Sequence, residues 1–184
     1  MGIAIDKSKM KLAVASKTSI HVFASNKTLA LSYPEKKSRY DQLFIPQVKY
    51  HTGYLDTHEI EFGTNDELYF INTMFSCISI VSADRHFEMY WKPNFITEVL
   101  PEDRCHLNGM AMKNGKPAFV TMFDTTNTYF GWKKTPKETG LLVEVETGKI
   151  LLDQLPMPHS PVYFDDKIYF LLSGTGEIKC YDLK

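Results

Sequence analysis

Three histidines in this 184-residue chain stand at the head of short, alternating apolar stretches. They are His58 in Asp56-Thr57-His58-Glu59-Ile60-Glu61-Phe62, His106 in Arg104-Cys105-His106-Leu107-Asn108-Gly109-Met110-Ala111-Met112, and His159 in Pro158-His159-Ser160-Pro161-Val162-Tyr163-Phe164. Neutral imidazoles bind zinc, copper or iron well, and three of them leave a coordination position open for water. Glu59 has the chemistry of a general base, or of a carboxylate that orients an imidazole. Asp56, Glu59, Arg104 and Asn108 lie close to the histidines in sequence and form a candidate set for binding a small polar molecule. The same residues support a plainer reading. Each histidine then caps a strand and bonds the backbone of its neighbour, and Asp103 and Arg104 form a structural ion pair, since ion-pair networks imitate active sites. Asp56 is also placed to hold the tautomer of His58.

Other chemistries are poorly served. A serine hydrolase of the elbow type needs G-x-S-x-G, which is missing. Cys105 adjoins His106, but consecutive strand residues point to opposite faces, so the two should not meet. Cys77 and Cys180 sit in apolar strands and read as small core residues. No phosphate loop or dinucleotide fingerprint is present. Trp91 and Trp132 suit a rim or a packing role equally.

The elements that must position the histidines are strands. The histidines are spaced by 48 and 53 residues, near the roughly 40–50 residues of one β-propeller blade. Residues 1–25 give three short alternating segments separated by polar turns, an antiparallel meander. His21, between Ile20 and Val22, reads as a partly exposed surface residue. Residues 26–57 break the rhythm with a polar, proline-bearing excursion carrying Lys36, Lys37 and Arg39, a solvated cluster without the glycine-rich turn of a phosphate site. Residues 44–50 read as a strand leading into the second unit. Four strands follow between 59 and 91, then a connection with one helical turn expected at 96–100. The third unit begins at His106 and holds Asn114-Gly115, a strong hairpin signal, and a second excursion at 124–139. A fourth unit of three strands starts near Val162.

An apolar content of 43 % with 23 % charged residues is that of a folded protein, and 13 % aromatics favour strands. The net charge of −1 gives no electrostatic reason to expect nucleic acid or anionic lipid as a partner. No apolar run approaches the roughly 18–20 residues of a membrane span, and no secretory core is apparent, so a cytoplasmic location is expected. Three widely spaced cysteines suggest no disulfide framework.

Further stretches are Met1-Gly2-Ile3-Ala4, Thr52-Gly53, Asn72-Thr73-x-Phe75-Ser76-Cys77, Pro101-Glu102-Asp103 running into Arg104, Gly131-Trp132 and Ser173-Gly174-Thr175-Gly176-Glu177. Together with the histidine segments they resemble a bacterial β-propeller family of conserved hypothetical proteins of unknown function. Its members sometimes stand beside sulfotransferase or tetratricopeptide-repeat segments. The resemblance spans nearly the whole chain and brings no established activity. It also implies a longer protein with further blades, of which this chain would be a fragment.

The expectation is an all-β partial propeller of about four blades forming a single domain over 1–184. Function is expected to be binding of a small polar ligand or a protein at the histidine-bearing mouth, flanked by the 33–57 and 124–139 excursions. The alternative is a metal-dependent lyase or hydrolase, with His58, His106 and His159 on a divalent metal such as zinc and Glu59 as base. A scaffold without a small-molecule site is a third reading. Open sheet edges invite homodimerisation.

Overall fold

The computed structural model describes residues 2–34, 37–135 and 137–184. It is a partial β-propeller of four antiparallel meanders. The first sheet contains β1 (Ile3–Ile5), β2 (Lys11–Ala15), β3 (Ser19–Ser25) and β4 (Phe44–His51). The second contains β5 (Thr57–Phe62), β6 (Leu68–Asn72), β7 (Cys77–Ser82) and β8 (His86–Trp91). The third contains β9 (Leu107–Lys113), β10 (Lys116–Met122), β11 (Gly140–Glu144) and β12 (Ile150–Leu155). The fourth has three strands, β13 (Pro158–Phe164), β14 (Lys167–Leu172) and β15 (Glu177–Asp182). No described helix is long and apolar enough to cross a membrane.

Each sheet packs face to face on the next, so the middle sheets are apolar on both faces. In β6, Leu68 and Phe70 meet Ala4, Ala13, Ala15, Ile20 and Val22 of the first sheet. Tyr69 and Ile71 meet Leu107, Met110, Val120 and Met122 of the third. That two-sided burial explains an unbroken apolar run where a one-sided strand would alternate. A third cluster joins Ala111, Phe119 and Leu142 to Ile168, Phe170 and Leu172 of the fourth sheet. The inner strands β1, β5, β9 and β13 contact one another in sequence and line the common axis.

Several local expectations change. The strand at 44–51 does not lead into the second blade. It pairs with β3 as the outer strand of the first, Ser25 opposite Phe44 and Ser19 opposite His51. The excursion before it contains a short helix, α1 (Lys27–Ser32), capped by Asn26, whose Oδ1 accepts the Leu29 N–H at 2.9 Å. The Ser25 N–H donates to Met10 O, and Gln42 Nε2 donates to Lys9 O, so α1 and its loop lie at the end of the blade away from the histidines. Among the described residues of the 33–57 excursion, 52–56 lie toward the mouth. Lys37 and Arg39 are exposed at that far end, while Lys36 lies outside the described residues. Residues 96–100 form no helix; Ile96 instead plugs the core between the second and third sheets. Cys180 is exposed on β15 rather than buried, whereas Cys77 and Cys105 are buried.

Gly109 lies at a close approach of β9 to β13. A β-carbon there would clash with Thr121 Oγ1 and Pro161 Cδ. Gly109→Ala is therefore expected to destabilise by about 1–3 kcal/mol, the usual cost of overpacking. Urea denaturation checks this, and an unchanged midpoint would show that the third and fourth blades are not in such close contact.

Candidate functional site

Each of the three histidines stands where a connection enters, or is about to enter, an inner strand. In all three cases the backbone bends sharply there. Asp56, Asp103, His106, Met157 and Ser160 all have φ between +43° and +55°. Side chains other than glycine adopt this region at a cost of about 1 kcal/mol or more each, and such strain concentrates at functional sites. Pairing with the second strand slips just beyond, between Thr57 and Ile60, between Thr121 and Met122, and between His159 and Val162. These bulges re-aim the first side chains of each inner strand toward the axis.

The rings converge. The centroids of His58 and His106 are 5.0 Å apart and nearly perpendicular, and those of His58 and His159 are 6.5 Å apart. Phe123 lies 4.6 Å from His106 and 5.0 Å from His159. Trp132, carried on the 3-10 turn Gly131–Lys134, covers His106 at 4.2 Å.

The Nδ1 atoms of all three rings are engaged, those of His58 and His159 in the same manner. His58 Nδ1 lies 2.9 Å from the Asp56 carbonyl and 2.8 Å from Thr73 Oγ1. A carbonyl only accepts, so Nδ1 carries the proton in the neutral ring. The Thr73 hydroxyl donates in turn to Leu107 O at 2.7 Å, tying the ring to the third blade. His159 repeats the device, with Nδ1 3.1 Å from the Met157 carbonyl and 3.1 Å from Ser173 Oγ, while the Ser173 hydroxyl donates to Met157 O. His106 differs in that its Nδ1 faces the buried Asp103 carboxylate at 3.0 Å, and Trp132 Nε1 donates to the same oxygen at 2.9 Å. In His58 and His159, a neutral ring held in this tautomer keeps its Nε2 lone pair uncommitted.

Burial pushes the pKa of His58 and of His159 below the ordinary value, the neighbouring histidines acting in the same direction. Their folded state thus resists protonation, and the stability they support is lost as pH falls below about 6.5. Glu59 turns between the blades. It accepts the Met110 N–H of β9, with Ser160 of the fourth blade as a second partner, and burial raises its pKa to about 7.

The other candidate residues are distributed unevenly. Asp56 borders a shallow recess with Ser16, Lys17, Tyr54 and Thr57, and it is the backbone carbonyl of Asp56, not its carboxylate, that fixes His58. Asn108 is buried; its Oδ1 accepts the Thr121 hydroxyl, and its Nδ2 has no partner among the described residues. Asp103 Oδ1 is likewise unpartnered. Arg104 is turned away from the rings, with Nε donating to Glu102 at 2.8 Å and its guanidinium to Asn127 at 2.7 Å, so Asp103 pairs with His106 rather than with Arg104. Trp132, Phe123, Thr73 and Ser173 complete the site and were not singled out by spacing. The signal that was available is positional: Thr73, Phe123 and Ser173 each follow the second strand of a blade at intervals of 50 residues. Among the described residues, no group of three or more His, Cys, Asp or Glu side chains stands in an arrangement that could hold a metal ion. A surface recess of about 520 Å³ between Lys113–Lys116 and Glu144–Glu146 opens at the hairpin end, away from the rings.

The molecule is thus a partial β-propeller with a histidine-lined mouth. The chain belongs to the family described as "Domain of unknown function (DUF4915)", whose model matches residues 1–184. No curated protein sequence matches it. A gluconolactonase from Xanthomonas campestris is similar in fold at TM-score 0.63 and 10 % identity, over 100 % of this chain and 58 % of that one. A protein of unknown function from Bacteroides thetaiotaomicron gives 0.56 and 14 %, over 98 % and 46 %. A streptogramin B lyase gives 0.50 and 13 %, over 100 % and 54 %. The chain spans about half the length of these proteins, and at such identities the likeness concerns the fold alone.

Two outcomes follow from the site. Long-range nitrogen-proton spectra should show His58 and His159 as Nδ1–H tautomers at neutral pH; Nε2–H patterns would contradict the assignment. For Glu59, a carboxyl with a raised pKa supports the fold fully below its ordinary value near 4.5 and loses that support as pH rises through about 7. The melting temperature of Glu59→Gln should therefore gain on the parent between those values, and a difference independent of pH would contradict the burial of this group.

Proposed function

We propose that this protein is a binding module whose ligand is a small polar molecule held at the three-histidine mouth. The observation that carries the reading is the shared restraint of the Nδ1 atoms, which holds the rings of His106 and His159 close to that of His58 with no protein partner described at Nε2. Fixed acceptors in a half-buried, aromatic-walled setting suit a ligand rich in hydroxyl or ammonium donors. Asp56 and Tyr54 lie at the rim, and the unpartnered atoms of Asp103 and Asn108 lie beside His106 in the chain. Burial of His58 and His159 favours their neutral, accepting form at neutral pH.

A second reading, a metal-dependent lyase or hydrolase, is favoured by the same tautomers. Three free Nε2 atoms are the donors a zinc-class ion takes, and the Asp103–His106 contact is of the kind that orients a metal-ligating imidazole. The 6.5 Å between His58 and His159 asks for some side-chain rotation before all three could share one ion. Glu59 has a pKa suited to a base near pH 7, but its carboxylate is already spanned by the Met110 N–H.

Titration of the protein with zinc chloride and, separately, with simple polyols and sugars distinguishes these readings, followed through the imidazole proton resonances. Coordinated shifts of His58, His106 and His159 with a polyol or sugar, weakened at least about tenfold in His106→Ala, support the binding module. Zinc binding at one ion per chain, lost in His106→Ala, supports the metal reading. Shifts confined to other residues, or none with either class of probe, sink the site.

A further inference from the structure

Two carboxylates stand at the mouth, one before each of two inner strands. Asp56 precedes β5 and Asp103 precedes β9. Both act on the hydroxyl of Tyr54 at the rim: Asp56, then burial, then Asp103 hold its proton more tightly than is usual. Asp103 is only 2 % exposed. Its Oδ2 faces His106 Nδ1 at 3.0 Å and Trp132 Nε1 at 2.9 Å, so the carboxylate is directed at the ring cluster. Its Oδ1 has no partner among the described residues. A buried carboxylate with one oxygen unsatisfied is costly to hold unless a positive or donating group comes to it.

The cations of the neighbourhood do not supply that group. Arg104 is taken by Glu102 and Asn127. Lys17 is exposed at the rim and stands over the Tyr54 ring at 5.6 Å. Lys133 is exposed and lies against the Phe130 ring at 3.7 Å. Exposed ammonium groups of this kind are hydrated and screened, and they offset a buried charge weakly. A protonated His106 would cancel Asp103 alone and leave Asp56 unanswered.

The walls suit the same sign of charge. Phe123 and Trp132 meet at 5.3 Å and 68°, and Phe123 also borders His159. Aromatic faces attract cations. The uncommitted Nε2 atoms of His58 and His159 accept hydrogen bonds and repel nothing that carries N–H or O–H donors.

We infer that the mouth selects a small cationic ligand, an ammonium group beside hydroxyls, with the ammonium drawn to the Asp56 and Asp103 side and the hydroxyls donated to the histidines. This rests on the reading of the mouth as a binding site and names the class of ligand it takes. A neutral polyol leaves both carboxylates without a counter-charge, and an anion is repelled by both.

Ethanolamine with ethylene glycol, and glucosamine with glucose, are pairs in which an ammonium replaces a hydroxyl; glucuronate supplies the opposite charge. Titrations at neutral pH, followed through the imidazole resonances, should give the amine of each pair at least about tenfold tighter binding, with glucuronate the weakest sugar. Asp103→Asn and Asp56→Asn each remove one charge and keep a side chain that tolerates the positive φ of 43° and 50° at these positions. Each should lower the ratio of amine to hydroxyl affinity at least about threefold. Asp56→Asn separates charge from ring placement, because the backbone carbonyl of Asp56 is what holds His58. Equal loss for both members of a pair in both variants would show a purely structural role and overturn selection by charge. Equal affinity within each pair, or glucuronate binding tightest, overturns the cation and leaves a mouth for neutral or anionic ligands standing. No shift at the rings with any probe overturns the mouth and the cation with it.

Discussion

Face-to-face burial between successive sheets is the interaction on which the rest of this structure depends. A meander of four strands is a thin layer with two faces and cannot bury enough apolar surface alone. Here each inner face finds a neighbour, Phe70 and Leu68 on one side of the second sheet, Tyr69 and Ile71 on the other. At roughly 25 cal/mol per Å² of apolar surface removed from water, these stacked faces supply the main favourable term. Close approaches such as Gly109 against Pro161 then set how nearly the inner strands can converge.

That convergence creates the mouth. Inner strands brought together around an axis bring their entry points together too, and those entry points hold histidines. The rings are not held by one another. Each is held from behind, by a carbonyl two residues earlier for His58 and His159, and by a carboxylate three residues earlier for His106. The left-handed residues at these entries are the local cost of turning the chain so abruptly, and blade packing sustains it. Glu59 joins three blades through its contacts with Met110 and Ser160, so the geometry of the mouth and the spacing of the blades are linked.

The strand order of each blade was readable because alternation and turn residues are local signals. Elements whose identity depends on distant partners were not. The strand at Phe44–His51 is defined by its pairing with β3 across the α1 excursion, and no short-range pattern says which blade claims it. Ile96 fell within the helical turn expected at 96–100, yet it is held as a plug in the core. Arg104 looked like a mouth residue because it is near His106 in sequence, but its guanidinium is taken by Glu102 and Asn127.

The sequence by itself determined the material of the blades and the recurrence of a histidine before three inner strands, since period-two alternation and repeat spacing are written residue by residue. It did not determine that the rings of His106 and His159 both approach that of His58, which partners hold each Nδ1, or that Trp132, Phe123, Thr73 and Ser173 pack or bond against them. Only the tertiary structure decided those, because they depend on bulges, left-handed turns and the stacking of sheets about an axis. Each of these relations joins residues on different blades, and no local signal carries the angle between them.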